Sequence, residues 1–270
     1  MAELDDRLDM AIAVALEASA IPRRYYRNEG MVVDFKADDT PVTRADKETE
    51  IFMRERIEAA CPRDAIVGEE FPSKPGTTGF KWYLDPIDGT QSFIRGVPLF
   101  GTMVALEHGN DAVIGVISFP ALGEIVYAAK GKGAWWATDA KNARRTRDLD
   151  VRAAVVSRTS DLAEASLNSG GLELYPAHGL GDGLQRLLAS VKIARSWSDC
   201  YGHYLVATGR MDVMVDPEMN VWDNAPLLPI MVEAGGRFTD LAGNPTIHGG
   251  SGISTNGRLH EAVLRELRSR

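Results

Sequence analysis

Cysteine is scarce in this 270-residue chain: Cys61 and Cys200 are the only two, with neither CxxC nor Cys/His spacing around them. That excludes a disulfide framework and a cysteine-based zinc site, and it fits reduced thiols in a cytoplasmic protein. Positive charge is also short. The formal net charge of −8 argues against a nucleic-acid backbone as partner, because such binding needs clustered Lys and Arg. No apolar run approaches the roughly 20 residues that a membrane span requires. The N-terminus lacks a basic region: Glu3, Asp5 and Asp6 precede a Met10–Ile21 stretch that Glu17 interrupts, so a signal peptide is not expected. There is no internal repeat and no low-complexity tract. What remains is an ordinary soluble composition, 44% hydrophobic and 25% charged, long enough for one large domain or two lobes.

Hydrophobic spacing divides the chain further. Leu4, Leu8, Ile12 and Ala15 recur at helical intervals and predict an amphipathic first helix. A second helix is expected from about Asp46 to Ala60, after a hairpin or loop in VVDFKADDTPVTRAD (32–46). AIVGEE (65–70) and KWYLDPIDGT (81–90) read as strands ending in acids, and a series of strands follows through Trp136. The charged segment DAKNARRTRDLD (139–150) reads as a solvated loop and a lobe boundary. Residues 1–145 would form an α+β lobe and 146–270 an α/β lobe, together one compact catalytic unit. In the second half, strands are expected at 154–158, 191–196 and 211–216. Helices are expected near 181–190, 199–209 and 224–235, with a last one after Asn256. This mixture predicts a layered arrangement of helices and sheets.

Acids cluster where apolar segments end: Asp46, Glu69 and Glu70, Asp85 and Asp88, and Asp223. Singly, acids at such places are ordinarily helix caps or turn formers. The pair in LDPIDGT is different, since Pro86 stiffens the turn and Gly89 permits conformations that other residues resist. Two carboxylates about 4 Å apart repel by about 4 kcal/mol at an effective dielectric of about 20. Protonation, a basic partner or a cation must offset that cost, and the motif holds no Lys or Arg. Carboxylates beside a backbone carbonyl suit hard cations such as Mg²⁺, so a metal site is the better reading.

VGEE (67–70), WYLDPIDGTQSF (82–93) and VWDNAPLLPIMVEAGG (221–236) resemble the three signature segments of the inositol monophosphatase superfamily, and KADDTPVTRAD (36–46) resembles its segment ahead of the second helix. The matches keep the family's order over nearly the whole chain. The resemblance implies an α+β fold in αβαβα layers and a Mg²⁺-dependent, lithium-sensitive phosphatase that works as a homodimer. It implies that Glu69, Asp85 and the carbonyl of Ile87 bind one Mg²⁺, and that Asp85, Asp88 and Asp223 bind a second, with a third ion near Glu69 in some members. Glu69 therefore counts with the catalytic set. Asp46 and Thr90 match the pair that positions the attacking water, and the N–H groups of Gly89 and Thr90, at an expected helix start, would hold phosphate oxygens. Pro226 departs from the small residue usual after the WD signature. If Asp223 caps a helix, Pro226 falls in the first turn, where its missing N–H costs little.

SFIRGVPLFGTMVALEHG (92–109) and RSWSDCYGHYLVATGRMDVMVDPEMNVWD (195–223) look most like the histidinol-phosphate phosphatase branch. The expectation is hydrolysis of L-histidinol phosphate, with Asp199 and either Asp216 or Glu218 meeting the alcohol. Asp199 could equally cap the helix through Tyr204. The alternative is an inositol-1-phosphate or broad sugar phosphatase. A 3′-phosphoadenosine nucleotidase lacks a basic or aromatic nucleotide platform, and a non-catalytic phosphate-binding relative would be expected to have lost part of the acid set. His203 is expected to be a packed or surface residue, Arg95 to touch phosphate or an opposing subunit, and Trp135, Trp136 and Trp197 to lie in the core or at an interface. Gln91 has no assigned role.

Overall fold

The computed structural model of the chain describes residues 2–28, 32–36, 40–197 and 199–268. Residues 37–39 of the expected hairpin and Ser198 lie outside the described residues. Helices α1 (Ala2–Ala18) and α2 (Ala20–Tyr25) lead into a short antiparallel pair, β1 (Val33–Phe35) and β2 (Pro41–Thr43), and then α3 (Arg44–Ala60). A seven-stranded sheet follows in sequential order: β3 (Ala65–Gly68), β4 (Phe80–Asp88), β5 (Gly101–His108), β6 (Asp111–Phe119), β7 (Glu124–Ala129), β8 (Ala134–Ala137) and β9 (Arg152–Ala153). Only β3 and β4 run parallel; the other pairs are antiparallel, and the short helix α4 (Thr90–Ile94) links β4 to β5.

The second sheet is assembled from β10 (Ser166–Ser169), β11 (Ile193–Arg195), β12 (Val213–Asp216), β13 (Arg237–Thr239) and β14 (Gly252–Thr255), in the order β11-β10-β12-β14-β13. Helices α5 (Leu174–Ala177), α6 (Gly181–Ser190), α7 (Asp199–Ala207), α8 (Val221–Glu233) and α9 (His260–Arg268) surround it. Apolar faces determine the stacking. Ile12, Ala15, Met53 and Ile57 of α1 and α3 pack on Trp82, Leu84, Val104 and Val116 of the large sheet. On its other face, Met103, Ile117 and Val126 meet Tyr204, Leu227 and Ile230 of α7 and α8, which also reach Met214 and Phe238 of the small sheet. Leu187, Val263 and Leu264 of α6 and α9 cover the far side over Leu167, Val213 and Ile253. The layers are therefore α, β, α, β, α, as expected.

Several expected boundaries shift. Residues 154–158 are expected to form a strand, but the ladder ends at Ala153, and Val156 N–H donates instead to the Ala234 carbonyl after α8. Strands β10, β13 and β14 carry too little apolar alternation to be seen in the sequence. Asp223 is not a helix N-cap: Asn220 caps α8 and Asp223 is the third helical residue. Pro226 thus lies beyond the first turn, where the carbonyl of Trp222 loses its i+4 donor. The helix continues through it as far as Glu233.

Candidate active site

Strict alternation along a strand would send Asp85 and Asp88 to opposite faces of the sheet, because they are three residues apart. The register prevents this: Asp85 pairs with Met103 and Asp88 with Gly101, so β4 holds one more residue than β5 across that span. The bulge turns both carboxylates to one side, and α8 delivers Asp223 opposite them. Ligand oxygens of Asp85, Asp88 and Asp223 all lie within 4.8 Å of one another.

Capping and site building coincide in two helices. At the start of α8, Asn220 N–H donates to Asp223 Oδ2 at 2.7 Å in a reciprocal capping box. At the start of α3, Thr43 N–H and Oγ1–H donate to Asp46 Oδ2 at 2.7 and 2.6 Å. One oxygen of each acid fixes the helix end; the second oxygen of Asp46 has no partner among the described residues, and Asp223 lies against Asp85. The N–H of Cys200 at the start of α7 donates to Asp88 Oδ2 at 2.6 Å. Asp46 Oδ1 and Asp85 Oδ1 are buried without a hydrogen-bond partner among the described residues, an arrangement that buried carboxylates seldom tolerate without a cation or proton.

Crowding shows in the acidities. Burial, with the charges of Glu69, Asp88 and Asp223, holds the Asp85 carboxyl well above the usual carboxylate range. Burial pushes Asp88 up to about 7, with Asp223 adding to it. Asp223 is likewise raised to about 7, by burial first and Glu69 among the charges. Asp46 is raised to about 7 chiefly by burial, against the pull of its Thr43 hydrogen bonds. Three converging carboxylates with an unpartnered inner oxygen match the oxygen-only donor set of a hard divalent cation.

Glu69 stands at the rim, where Lys36 Nζ lies 2.6 Å from its carboxylate and 2.7 Å from that of Glu70. The turn is braced from below by Glu50 of α3, which accepts from Glu70 N–H at 2.7 Å and pairs with Arg54. A Cβ on Gly68 would sit 2.1 Å from Glu50 Oε1, so the glycine makes room for that carboxylate. The i,i+4 spacing of Glu50 and Arg54 is the one trace of this brace in the sequence. Thr90 Oγ1 donates to the Ile87 carbonyl at 3.0 Å, and among the described residues no hydrogen bond joins it to Asp46, which accepts from Thr43.

The sequence of residues 3–270 matches the inositol monophosphatase family. The chain belongs to that family. It is 38% identical over 261 residues to a histidinol-phosphatase from Chlorobaculum parvum, spanning 96% of each chain. It is 31% identical over 266 residues to an inositol-1-monophosphatase from Rhizobium meliloti, spanning 96% of this chain and 94% of the relative. The solved structure of the extragenic suppressor protein suhB from Bartonella henselae superposes with a TM-score of 0.86 at 27% identity, covering 98% of this chain and 99% of that one. The chain is a phosphatase of the inositol monophosphatase family, and its layered fold is the family's.

Beside the acid cluster of this family member opens a cavity of about 500 Å³. Its described lining includes the carboxyl groups of Asp88, Glu173, Asp199, Asp216, Glu218 and Asp223, and no Lys or Arg. Asp199 is the first residue of α7, at φ +59°, with Ser92 Oγ 3.5 Å from its Oδ2. It packs against Gly89, where a Cβ would come within 2.9 Å of Asp199 Oδ2, and Gly89 itself adopts φ +82° at the start of α4. Glu218 is exposed and pairs with His178 at 3.0 Å. Asp216 ends β12 and is held by the buried His203. Arg95 lies on the exposed surface and bonds Gln91. Trp135 and Trp197 are partly exposed rather than core residues. Glu173 and Ser169 are cavity residues that sequence reasoning missed, because the fold alone brings them there.

Proposed function

We propose that this phosphatase hydrolyses L-histidinol phosphate to L-histidinol and phosphate with Mg²⁺ as cofactor, as a step of histidine biosynthesis. The observation that carries the substrate is the cavity wall beyond the metal ligands: Glu173, Asp199, Asp216 and Glu218, with no Lys or Arg among its described residues. An alcohol bearing an ammonium and an imidazole is attracted to that wall, and a neutral polyol gains far less from it. The likeness to a histidinol-phosphatase at 38% identity supports the same choice.

Glu69, Asp85, the Ile87 carbonyl, Asp88 and Asp223 would hold two or three Mg²⁺. When bound, Mg²⁺ supplies a more acidic water and charge stabilisation for the attacking and leaving oxygens. Asp46, through its unpartnered Oδ1, and Thr90 orient the attacking water. The N–H groups of Gly89 and Thr90 hold phosphate oxygens. Asp199, Asp216 and Glu218 face the alcohol. The water oxygen bonds to phosphorus, the ester P–O bond breaks, and the proton passes to the leaving alcohol. Residues 1–145 carry most of these groups and 146–270 contribute Asp223 and the alcohol contacts.

The second reading is an inositol-1-phosphate phosphatase, favoured by the Rhizobium meliloti relative. Turnover of the two esters by purified protein at equal Mg²⁺ separates them: a higher kcat/KM for histidinol phosphate is expected, and a preference for the inositol ester defeats the first reading. A cytoplasmic homodimer completes the proposal; a monomeric mass by light scattering would remove the dimer.

A further inference from the structure

The metal cluster leaves one buried polar assembly beside the cavity without a role. His203, on α7, is almost completely buried, at 1% exposure. Its Nε2 lies 3.1 Å from Asp216 Oδ2 and its Nδ1 lies 2.7 Å from Ser254 Oγ on β14. In the tautomer with the proton on Nε2, that nitrogen donates to Asp216 Oδ2 and Nδ1 accepts from the Ser254 hydroxyl. Asp216 is itself buried yet lines the cavity. With Oδ2 committed to the imidazole, Oδ1 is the oxygen left for a ligand. His203 is not among the cavity-lining residues.

Helix α7 links this contact to the chemistry. Its first turn places the Cys200 N–H on Asp88, and His203, three residues later, meets Asp216. Three residues of α-helix rise about 4.5 Å, so one rigid turn sets the spacing between an acid of the metal cluster and an acid of the alcohol side. A helix is a firmer support than a loop for such a separation. We propose that His203 is a positioning residue for substrate selection, holding Asp216 at a fixed distance from the reacting phosphate so that its free oxygen reads the alcohol of the ester. This rests on the reading of the cavity as the alcohol subsite.

Asparagine and glutamine at position 203 separate positioning from packing. A Gln amide nitrogen reaches about where imidazole Nε2 sits, whereas Asn reaches only the Nδ1 side and leaves Asp216 without its donor. His203→Asn is expected to raise KM for histidinol phosphate about tenfold, the effect of losing one hydrogen bond that orients a charged group, with kcat little changed. KM for p-nitrophenyl phosphate, which offers neither cation nor hydroxyl to Asp216, should stay near wild type, and His203→Gln should recover most of the loss. Equal rises for both esters, a fall in kcat alone, no change, or failure of Gln to rescue would each overturn the positioning role. If the Asn variant does not fold, Ser254→Ala, which frees the ring to rotate, should give the same split on a smaller scale, and its absence overturns the role equally. Wild-type protein that cleaves p-nitrophenyl phosphate but not histidinol phosphate defeats the functional reading instead. Inositol 1-phosphate, whose hydroxyls would meet the same carboxylate, then becomes the probe for the same KM split.

Discussion

Asp199 occupies a backbone conformation that side chains other than Asn, Asp and Gly rarely accept, at φ +59°. A non-glycine residue held there costs on the order of 1 kcal/mol or more, and the adjacent Cys200 N–H is already bonded to Asp88. A position selected only for starting α7 would be served as well by glycine. The carboxyl group beside Gly89 and on the cavity wall supplies a reason for the cost if it attracts a cationic alcohol. Asp199→Asn keeps a residue suited to this conformation and removes the charge; it should raise KM for histidinol phosphate about tenfold, as expected for losing one charge-assisted contact, without lowering the melting temperature. Asp199→Gly should lose the same selectivity with no loss of thermal stability. A Gly variant that keeps full selectivity would show that the carboxyl group has no part in binding. At this scale the sequence was informative wherever acids lie close together in the chain. Asp85 and Asp88 are legible as a pair because Pro86 and Gly89 frame them, whereas the bulge that turns both to one face depends on β5 and leaves no local mark.

Helix α8 presses on β6 so closely that a Cβ on Gly115 would lie 2.1 Å from the Pro226 carbonyl oxygen. That oxygen is backbone, so the helix itself must move to admit a methyl group. Gly115→Ala should cost about 1–3 kcal/mol, the usual range for overpacking, and should weaken Mg²⁺ binding in titration calorimetry because Asp223 is carried one turn earlier on the same helix. Gly181→Ala, at the first residue of α6 with only ordinary contacts at 3.9 Å, serves as the control and should be neutral or stabilising. Unchanged Mg²⁺ affinity in a destabilised Gly115→Ala protein would uncouple helix packing from the site. The long helices were legible because apolar residues recur at helical spacing over several turns, as with Leu4, Leu8 and Ile12 of α1. The strands β10 and β14 were not: Leu-Asn-Ser and Ile-Ser-Thr are too short and polar to alternate, and their burial comes from helices covering both faces of the small sheet. Asp46 and Asp223 posed a choice between cap and functional acid that the capping boxes dissolve, since one oxygen of each does the capping.

Across the whole molecule, the acid cluster ties folding to pH. Asp46, Asp88 and Asp223 are raised from 3.8 to about 7, and Asp85 is raised as well. In each case the folded state binds the proton more tightly than the unfolded chain does. Their contribution to stability is therefore fully present below about pH 4 and is lost as pH climbs through about 7. His260 opposes this: burial lowers it from 6.5 to about 4, so its contribution is present above about pH 6.5 and is lost as pH falls through about 4. The two trends overlap, and the total melting temperature need not follow either. A divalent cation separates them, because His260 sits between Thr239 and Thr255 on the small sheet and does not belong to the acid cluster. Binding requires deprotonated carboxylates and removes their mutual repulsion. The rise in melting temperature on replacing chelator with saturating Mg²⁺ should thus be small at pH 5 and grow through pH 7 to 8. Differential scanning calorimetry of paired Mg²⁺ and EDTA samples across that range reads the difference directly. A Mg²⁺-induced shift that is independent of pH would show that Asp85, Asp88 and Asp223 do not bind the cation.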